Sequence, residues 1–531
     1  MTAPATTLTS DITAPAKARR SNPFSNEALQ GDLKNRTVRG GLITFLSQIA
    51  RFVLKTGSTA VLARLLTPAD FGLIAMVTVV TGFVELFKDA GLSMATVQRK
   101  EINHRQVSTL FWINVGLSIV VAGVVAGLAP VVAWWYGEPR LTLITLALAA
   151  TLIFGGLCVQ HRALLRRSME YGRLARVEIL SLTISLAVGI VAGWFGLGPW
   201  ALVLMLAAGG AATFVLSFIE SGWIPGRPGG LGEVREMLGF GGNLVGFSFV
   251  NYAGRNADNL IIGTSLGAGS LGLYSKAYGL LMLPLKQINA PLAAAMIPAL
   301  SRLQDDPETF RRYYLRAITA IAYVTVPMTA MLACFSHEIV RLVLGPDWLE
   351  AADIFLVLAI AAVFQPVLST VGWVCTAVGQ TGRMLRWSFV NVPCIIAAFL
   401  TGVQYGTIGV ATAYAIAVNV LIVPTFIYCL RGSPVAVGSV LRCLLGPSLI
   451  GAVALLIGAS FRGGLSDIGD NTIASVVAAG AATFAAGAVA WLVRPIRRDL
   501  LASLATVKEA KKSKRKPVPS TTEASDEPSN P

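Results

Sequence analysis

Apolar runs long enough to cross a bilayer recur from residue 38 almost to residue 493, interrupted at glycines, prolines and charge clusters. A helix rising 1.5 Å per residue needs about twenty predominantly apolar residues to span the hydrocarbon core. Splitting the runs at their interruptions predicts fourteen helices, over 38–64, 70–98, 106–135, 141–161, 174–195, 198–219, 239–264, 269–299, 310–335, 350–379, 384–401, 407–430, 438–460 and 472–493. The connections are short, and none is large enough to be a catalytic domain. The pattern therefore predicts an all-α polytopic membrane protein. Residues 1–37 are polar, rich in Pro, Ser and Thr, and lack the apolar stretch of a signal peptide. Residues 496–531, with their run KEAKKSKRKPVPS, are strongly basic. Both read as disordered tails.

The stretch GLITFLSQIARFVLKTGSTAVLARLLTPADFGL (41–73) can be laid over GNLVGFSFVNYAGRNADNLIIGTSLGAGSLGL (242–273) at an offset of 200. Gly72 then meets Gly272, Leu73 meets Leu273, Leu66 meets Leu266, and Lys55 meets Arg255. Six predicted helices precede the seventh, so the first and seventh run in the same direction. That spacing implies two parallel six-helix bundles, 38–220 and 239–430, around a central cavity and joined by a cytoplasmic linker at 221–238. Two extra C-terminal helices then fill 431–495.

Composition changes the picture only through charge. Hydrophobic residues make up 54% of the chain and charged residues 13%, about half the share in soluble domains, and the mean hydropathy is +0.66. The formal net charge of +15 does not predict nucleic-acid binding, because its distribution is that of a membrane topology signal. With both termini in the cytoplasm, the tails and the internal loops collect most of the 43 lysines and arginines. Arg162, Arg166, Arg167, Arg173 and Arg176, between the fourth and fifth helices, are typical. External loops and helix ends hold only Arg64, Arg140, Arg341 and Arg462.

Six cations remain inside predicted spans: Arg51, Lys55, Lys88, Arg255, Lys276 and Lys286. A charge at a helix centre costs about 2.5–3.5 kcal/mol on insertion scales, and such residues mark substrate or ion paths. Arg51 and Lys55, four apart, share a helix face, as do Arg255 and Asp258, three apart. The first helix has no acidic residue, so its two cations need an anion from Glu85 or Asp89 on the second helix, or from a ligand. The plainer alternatives are a structural ion pair, or Lys55 reaching outward to the interface. Glu85, Lys88 and Asp89 can pair with one another near an inner helix end. Lys276 lies near an outer end and can snorkel, and with Glu85, Lys88 and Asp89 it is a secondary candidate for the cavity, whereas Lys286 lies deeper and is a candidate for the cavity wall. Asp258 can either hold Arg255 in an inert pair or serve as a site of ion coupling. The six cysteines stand singly in apolar runs, and His104, His161 and His337 form no cluster, so no metal or catalytic constellation is expected.

LARLLTPADFGL (62–73), FKDAGLSMATVQRKEINHRQVSTLFWINV (87–115) and RNADNLIIGTSLGAGSLGLYSKAYGLLMLPLKQI (255–288) resemble Wzx-type polysaccharide flippases. More narrowly, they resemble the WzxC branch of the multidrug/oligosaccharidyl-lipid/polysaccharide exporter superfamily. The resemblance implies two six-helix bundles around a V-shaped, cation-lined cavity that works by alternating access in the bacterial inner membrane. It implies an undecaprenyl-diphosphate-linked oligosaccharide as substrate and a proton or sodium ion for coupling. Polymerase and export machinery would be partners alongside the membrane lipids. Arg51, Lys55, Arg255 and Lys286 would hold the diphosphate, the arginines by planar bidentate contacts and the lysines as point charges. Related peptidoglycan-precursor flippases carry arginines in the first helices of their cavity, the region of Arg51 and Lys55. Pro284, Pro291 and Pro327 are candidate hinges.

Two other functions compete. A multidrug exporter of organic cations would line its cavity with carboxylates, whereas six basic residues here face Glu85, Asp89, Glu178 and Asp258. A membrane polymerase or ligase needs acid/base groups on a large external loop. The longest external segment, SHEIVRLVLGPDWLE, is short and has no such constellation.

Overall fold

The computed structural model describes residues 33–89, 93, 96–97, 102–230 and 235–465. Within its helices, the side chains of 33–39, 83–89, 235–251, 253, 255 and 461–465 are not described. Both proposed tails lie almost wholly outside the described residues, and the fourteenth expected helix, 472–493, lies wholly outside them. Every regular element among the described residues is helical. Six helices open the chain: α1 (Leu33–Leu65), α2 (Pro68–Asp89), α3 (His104–Tyr136), α4 (Arg140–Arg167), α5 (Tyr171–Trp194) and α6 (Pro199–Ser221). After the linker come α7 (Arg235–Ser301), α8 (Pro307–Cys334) and the short α9 (Ser336–Val343). A bent run of α10 (Glu350–Ala362), α11 (Gln365–Ser369) and α12 (Val371–Ala377) follows. The described chain closes with α13 (Thr381–Gly402), α14 (Gly406–Leu430) and α15 (Val437–Leu465).

Among the described residues, 8 helical stretches are long and apolar enough to cross a membrane, or 9 if the bent pair around residue 363 is one span. The chain is an all-α, multi-pass membrane protein. Two stretches, Asn256–Ser301 with 46 residues and Thr381–Leu430 with 50, are too long for a single crossing. Forty-six residues of helix would reach about 70 Å, more than twice the hydrocarbon core of about 30 Å. Each stretch breaks where the sequence predicts a boundary. Gly267 takes φ 82° inside α7, and a short turn at Val403–Tyr405 leads into Gly406 with φ 75°. Positive φ is readily available to glycine and strained for other residues.

Local chemistry explains other helix ends. Asn103 caps α3, its Oδ1 accepting from the Gln106 N–H at 2.8 Å while Gln106 Oε1 accepts from the Asn103 N–H. Asp306 caps α8 by accepting from the Thr309 N–H. Exposed Trp134 and Trp135 at the end of α3, Trp194 and Phe195 at the end of α5, and Tyr405 between α13 and α14 form an interfacial aromatic set.

One boundary matters for the site. α4 runs to Arg167, six residues beyond its expected end, so Arg162, Arg166 and Arg167 are helical rather than loop residues. Arginine is a good helix former, and its long side chain lets the charge reach a partner away from the helix axis. Arg167, only 6% exposed, donates from Nη1 to the Thr96 carbonyl at 3.1 Å.

α2 packs against α7 through Leu73, Met76 and Val77 on one side and Ile262, Leu271 and Tyr274 on the other. At their closest approach a Cβ on Gly72 would strike the Ala268 carbonyl oxygen, and a Cβ on Gly272 the Pro68 carbonyl oxygen. Pro68 and Ala268 are themselves separated by 200 residues, as are the two glycines. The repeat that aligns these segments in sequence thus appears in space as one contact made twice.

Candidate functional site

The α1 helix brings Arg51 and Lys55 to one face, a turn apart, beside α2, α4, α5 and α6. A cavity of about 510 Å³ opens between these helices. Arg51, Lys55, Arg162 and Glu178 supply its charged wall, and Thr81, Thr151 and Thr213 add hydroxyls. A second cavity of about 570 Å³ continues from it toward α7, sharing Lys55, Thr78, Leu182, Ser185 and Leu206. Lys55 therefore faces both chambers.

The anion that the first helix lacks comes from α5, a source outside both alternatives raised by the sequence. Arg51 Nη1 donates to Glu178 Oε2 at 2.8 Å, and Arg162 Nη2 donates to Glu178 Oε1 at 2.9 Å. One carboxylate thus bridges two guanidinium groups, with one oxygen to each. The bridge is reachable from the cavity, because the side chains of Arg51, Arg162 and Glu178 keep 33%, 29% and 19% of their surface exposed. Lys55 is exposed, and among the described residues its ammonium has no hydrogen-bond or ion-pair partner. With Glu178 ionised, these three cations leave an excess of two positive charges.

Phe71, Lys276 and Val343 also line the second chamber. Lys276 does not snorkel: its Nζ sits 3.7 Å from the centre of the Phe71 ring and lines the chamber. The aromatic face offers a favourable site for the cation inside the protein. Phe71 meets Trp348 edge-on at 5.5 Å, and Trp348 donates its indole N–H to the Ala63 carbonyl at 2.8 Å. Arg64, read from sequence as a charge at the external end of the first helix, donates Nη2 to the Leu342 carbonyl at 2.7 Å. The segment 336–348 is thus tied over the end of α1.

Lys286 is exposed and lines neither chamber. It follows Lys276 by ten residues, about a quarter-turn around the helix from it. Asp258 is buried, with 8% exposure, and its Oδ1 accepts from the Asn259 N–H at 2.8 Å. Its neighbour Tyr274 stacks parallel to Tyr278, with ring centres 6.3 Å apart. The side chains of Arg255, Glu85, Lys88 and Asp89 lie outside the described residues. Sequence reasoning missed Arg162, taken for a loop charge, and assigned no role to Glu178. The signal was present: an acid inside the apolar stretch 174–195 needs a cation, and Arg51 needed an anion. Among the described residues, no group of His, Cys, Asp or Glu could hold a metal ion.

The lipopolysaccharide biosynthesis protein WzxC of Escherichia coli (strain K12) is 27% identical over 391 residues, covering 72% of this chain and 78% of that protein. The teichuronic acid biosynthesis protein TuaB of Bacillus subtilis (strain 168) is 25% identical, covering 73% and 82%. Among solved structures, the lipid II flippase MurJ in an inward closed conformation superposes with a TM-score of 0.68 at 15% identity, over 87% of this chain and 100% of that one. That likeness establishes a shared fold. The family described as "Polysaccharide biosynthesis protein" matches residues 61–353, more than half of the sequence. The chain belongs to that polysaccharide biosynthesis family.

Proposed function

We propose that this protein flips an undecaprenyl-diphosphate-linked oligosaccharide from the cytoplasmic to the external leaflet of the inner membrane. The flipped unit would serve exopolysaccharide, capsule or lipopolysaccharide assembly. The observation that carries the reading is the excess of cations on the cavity wall, with Lys55 facing both chambers. A diphosphate is the anion that Arg51, Arg162 and Lys55 suit, and Arg255 remains a candidate from the second half. The roles of the relatives in lipopolysaccharide and teichuronic acid biosynthesis agree with it, as does the shared fold of a lipid II flippase. An exporter of organic cations fits this wall poorly.

The mechanism is alternating access between two six-helix halves, 38–220 and 239–430, within a fourteen-helix chain whose termini are both cytoplasmic. In the state described, α2 meets α7 at Gly72 and Gly272 and the segment 336–348 lies over the end of α1, closing the end that faces outward in this topology. Coupling to a proton or sodium ion is assigned to the buried Asp258, and a polymerase with its export machinery would take the flipped unit.

Arg51→Gln and Lys55→Gln should still insert, since each removes a costly intramembrane charge. Surface polysaccharide should nevertheless fall at least about tenfold in a strain relying on either variant, the cost of one charge-assisted contact. Full polymer production by both, at normal protein levels, would overturn the reading.

A further inference from the structure

The Glu178 carboxylate fills the position where two arginines converge, and it does so with the geometry an anionic ligand would use. Its oxygens accept separately from Arg51 at 2.8 Å and Arg162 at 2.9 Å, joining α1, α4 and α5 at one point of the cavity wall. Each phosphoryl group of a diphosphate offers the same forked pair of acceptors, and its neighbour offers a second pair. We infer that Glu178 is a resident stand-in for substrate phosphate: it holds Arg51 and Arg162 while the cavity is empty, and the incoming diphosphate displaces it and takes both guanidinium groups. The inference rests on the diphosphate reading given above.

Charge balance supports the exchange. A diphosphate esterified at both ends carries one negative charge on each phosphorus. Arg51, Lys55 and Arg162 against an ionised Glu178 leave two positive charges, so the loaded site is neutral only if Glu178 stays charged nearby. The displaced carboxylate remains on the wall that Lys55 lines, where an ammonium without a partner among the described residues is available to it. The stand-in also addresses a transporter's central difficulty. A site that grips its cargo must also let it go, and a tethered competitor that reclaims both arginines makes release favourable. Without it, the empty site would keep two unpaired guanidinium groups and a surplus charge, and would hold the anion too long.

The test uses the full chain in lipid nanodiscs, titrated with a farnesyl-diphosphate-linked monosaccharide, alongside surface polymer measured in cells. Glu178→Gln keeps the side chain's size and removes its charge. It should bind the probe about tenfold more tightly than the unmodified chain and yet support less surface polymer, because release becomes slow. Arg51→Gln and Arg162→Gln should each bind about tenfold more weakly. Glu178→Asp, one methylene shorter, should reach only one arginine and give intermediate tightening. Equal or weaker binding by a folded Glu178→Gln, while Arg51→Gln still weakens binding, would overturn the stand-in and leave the diphosphate reading in place. Probe binding that is absent, or indifferent to both arginine substitutions, would overturn the two together. If neither Glu178 variant accumulates in the membrane, Glu178 is a structural bridge and the inference fails.

Discussion

Arg51 and Lys55 announce themselves because nothing in an apolar run explains a permanent charge, and the sequence alone is enough to single them out. Their surroundings are another matter. Glu178 lies 127 residues from Arg51, so only packing of α5 against α1 joins them. Arg162 was hidden by its position near a helix end, where basic residues ordinarily report topology. Lys276 was a secondary candidate for the cavity and lines it, but its partner was not legible: depth along a helix says nothing of what ring the next helix presents, and Phe71 is some two hundred residues away. Trp348 belongs to the same class: an external tryptophan by sequence, but 1% exposed and donating to a backbone carbonyl of α1. Trp348→Phe keeps the ring contact with Phe71 and leaves the buried Ala63 carbonyl without that donor. It should lower stability by about 1–3 kcal/mol, read as a lower unfolding midpoint of the purified protein. An unchanged midpoint would mean that water or another donor satisfies Ala63.

Helices as units were readable from hydropathy, because a bilayer requires each crossing to be long, apolar and internally hydrogen-bonded. Even the interruptions inside the two longest stretches fall where glycines break the pattern, at Gly267 and Gly406. What hydropathy could not give is how closely α2 and α7 approach. Gly72 meets the Ala268 carbonyl and Gly272 meets the Pro68 carbonyl, and in both cases the obstacle to a side chain is backbone, which cannot swing aside. Gly72→Ala should therefore push the helices apart and cost about 1–3 kcal/mol, as overpacking does. Gly272→Ala should do the same. Gly116→Ala, where an added Cβ meets nothing within 4 Å, is the control, and alanine's better helix propensity should leave it neutral or slightly stabilising. Equal midpoints for all three variants would show that the crossing is looser than its geometry indicates.

For the molecule as a whole, basic residues predict orientation and the repeat predicts two halves, but neither fixes which contacts join them. The expected topology is open to direct measurement. Reporter fusions after Gly196 and Gly406 should read as periplasmic, and one after Gly432 as cytoplasmic; the reverse pattern would remove the basis for an inward-loading cavity. The closure between α2 and α7 carries a consequence for kinetics. Its two contacts are copies of one another, so the displacement that separates Pro68 from Gly272 also separates Ala268 from Gly72. A lock made of one catch used twice releases both catches together. Spin labels placed across it should report two discrete distances whose proportions change with substrate, with no continuum of partly parted forms between them.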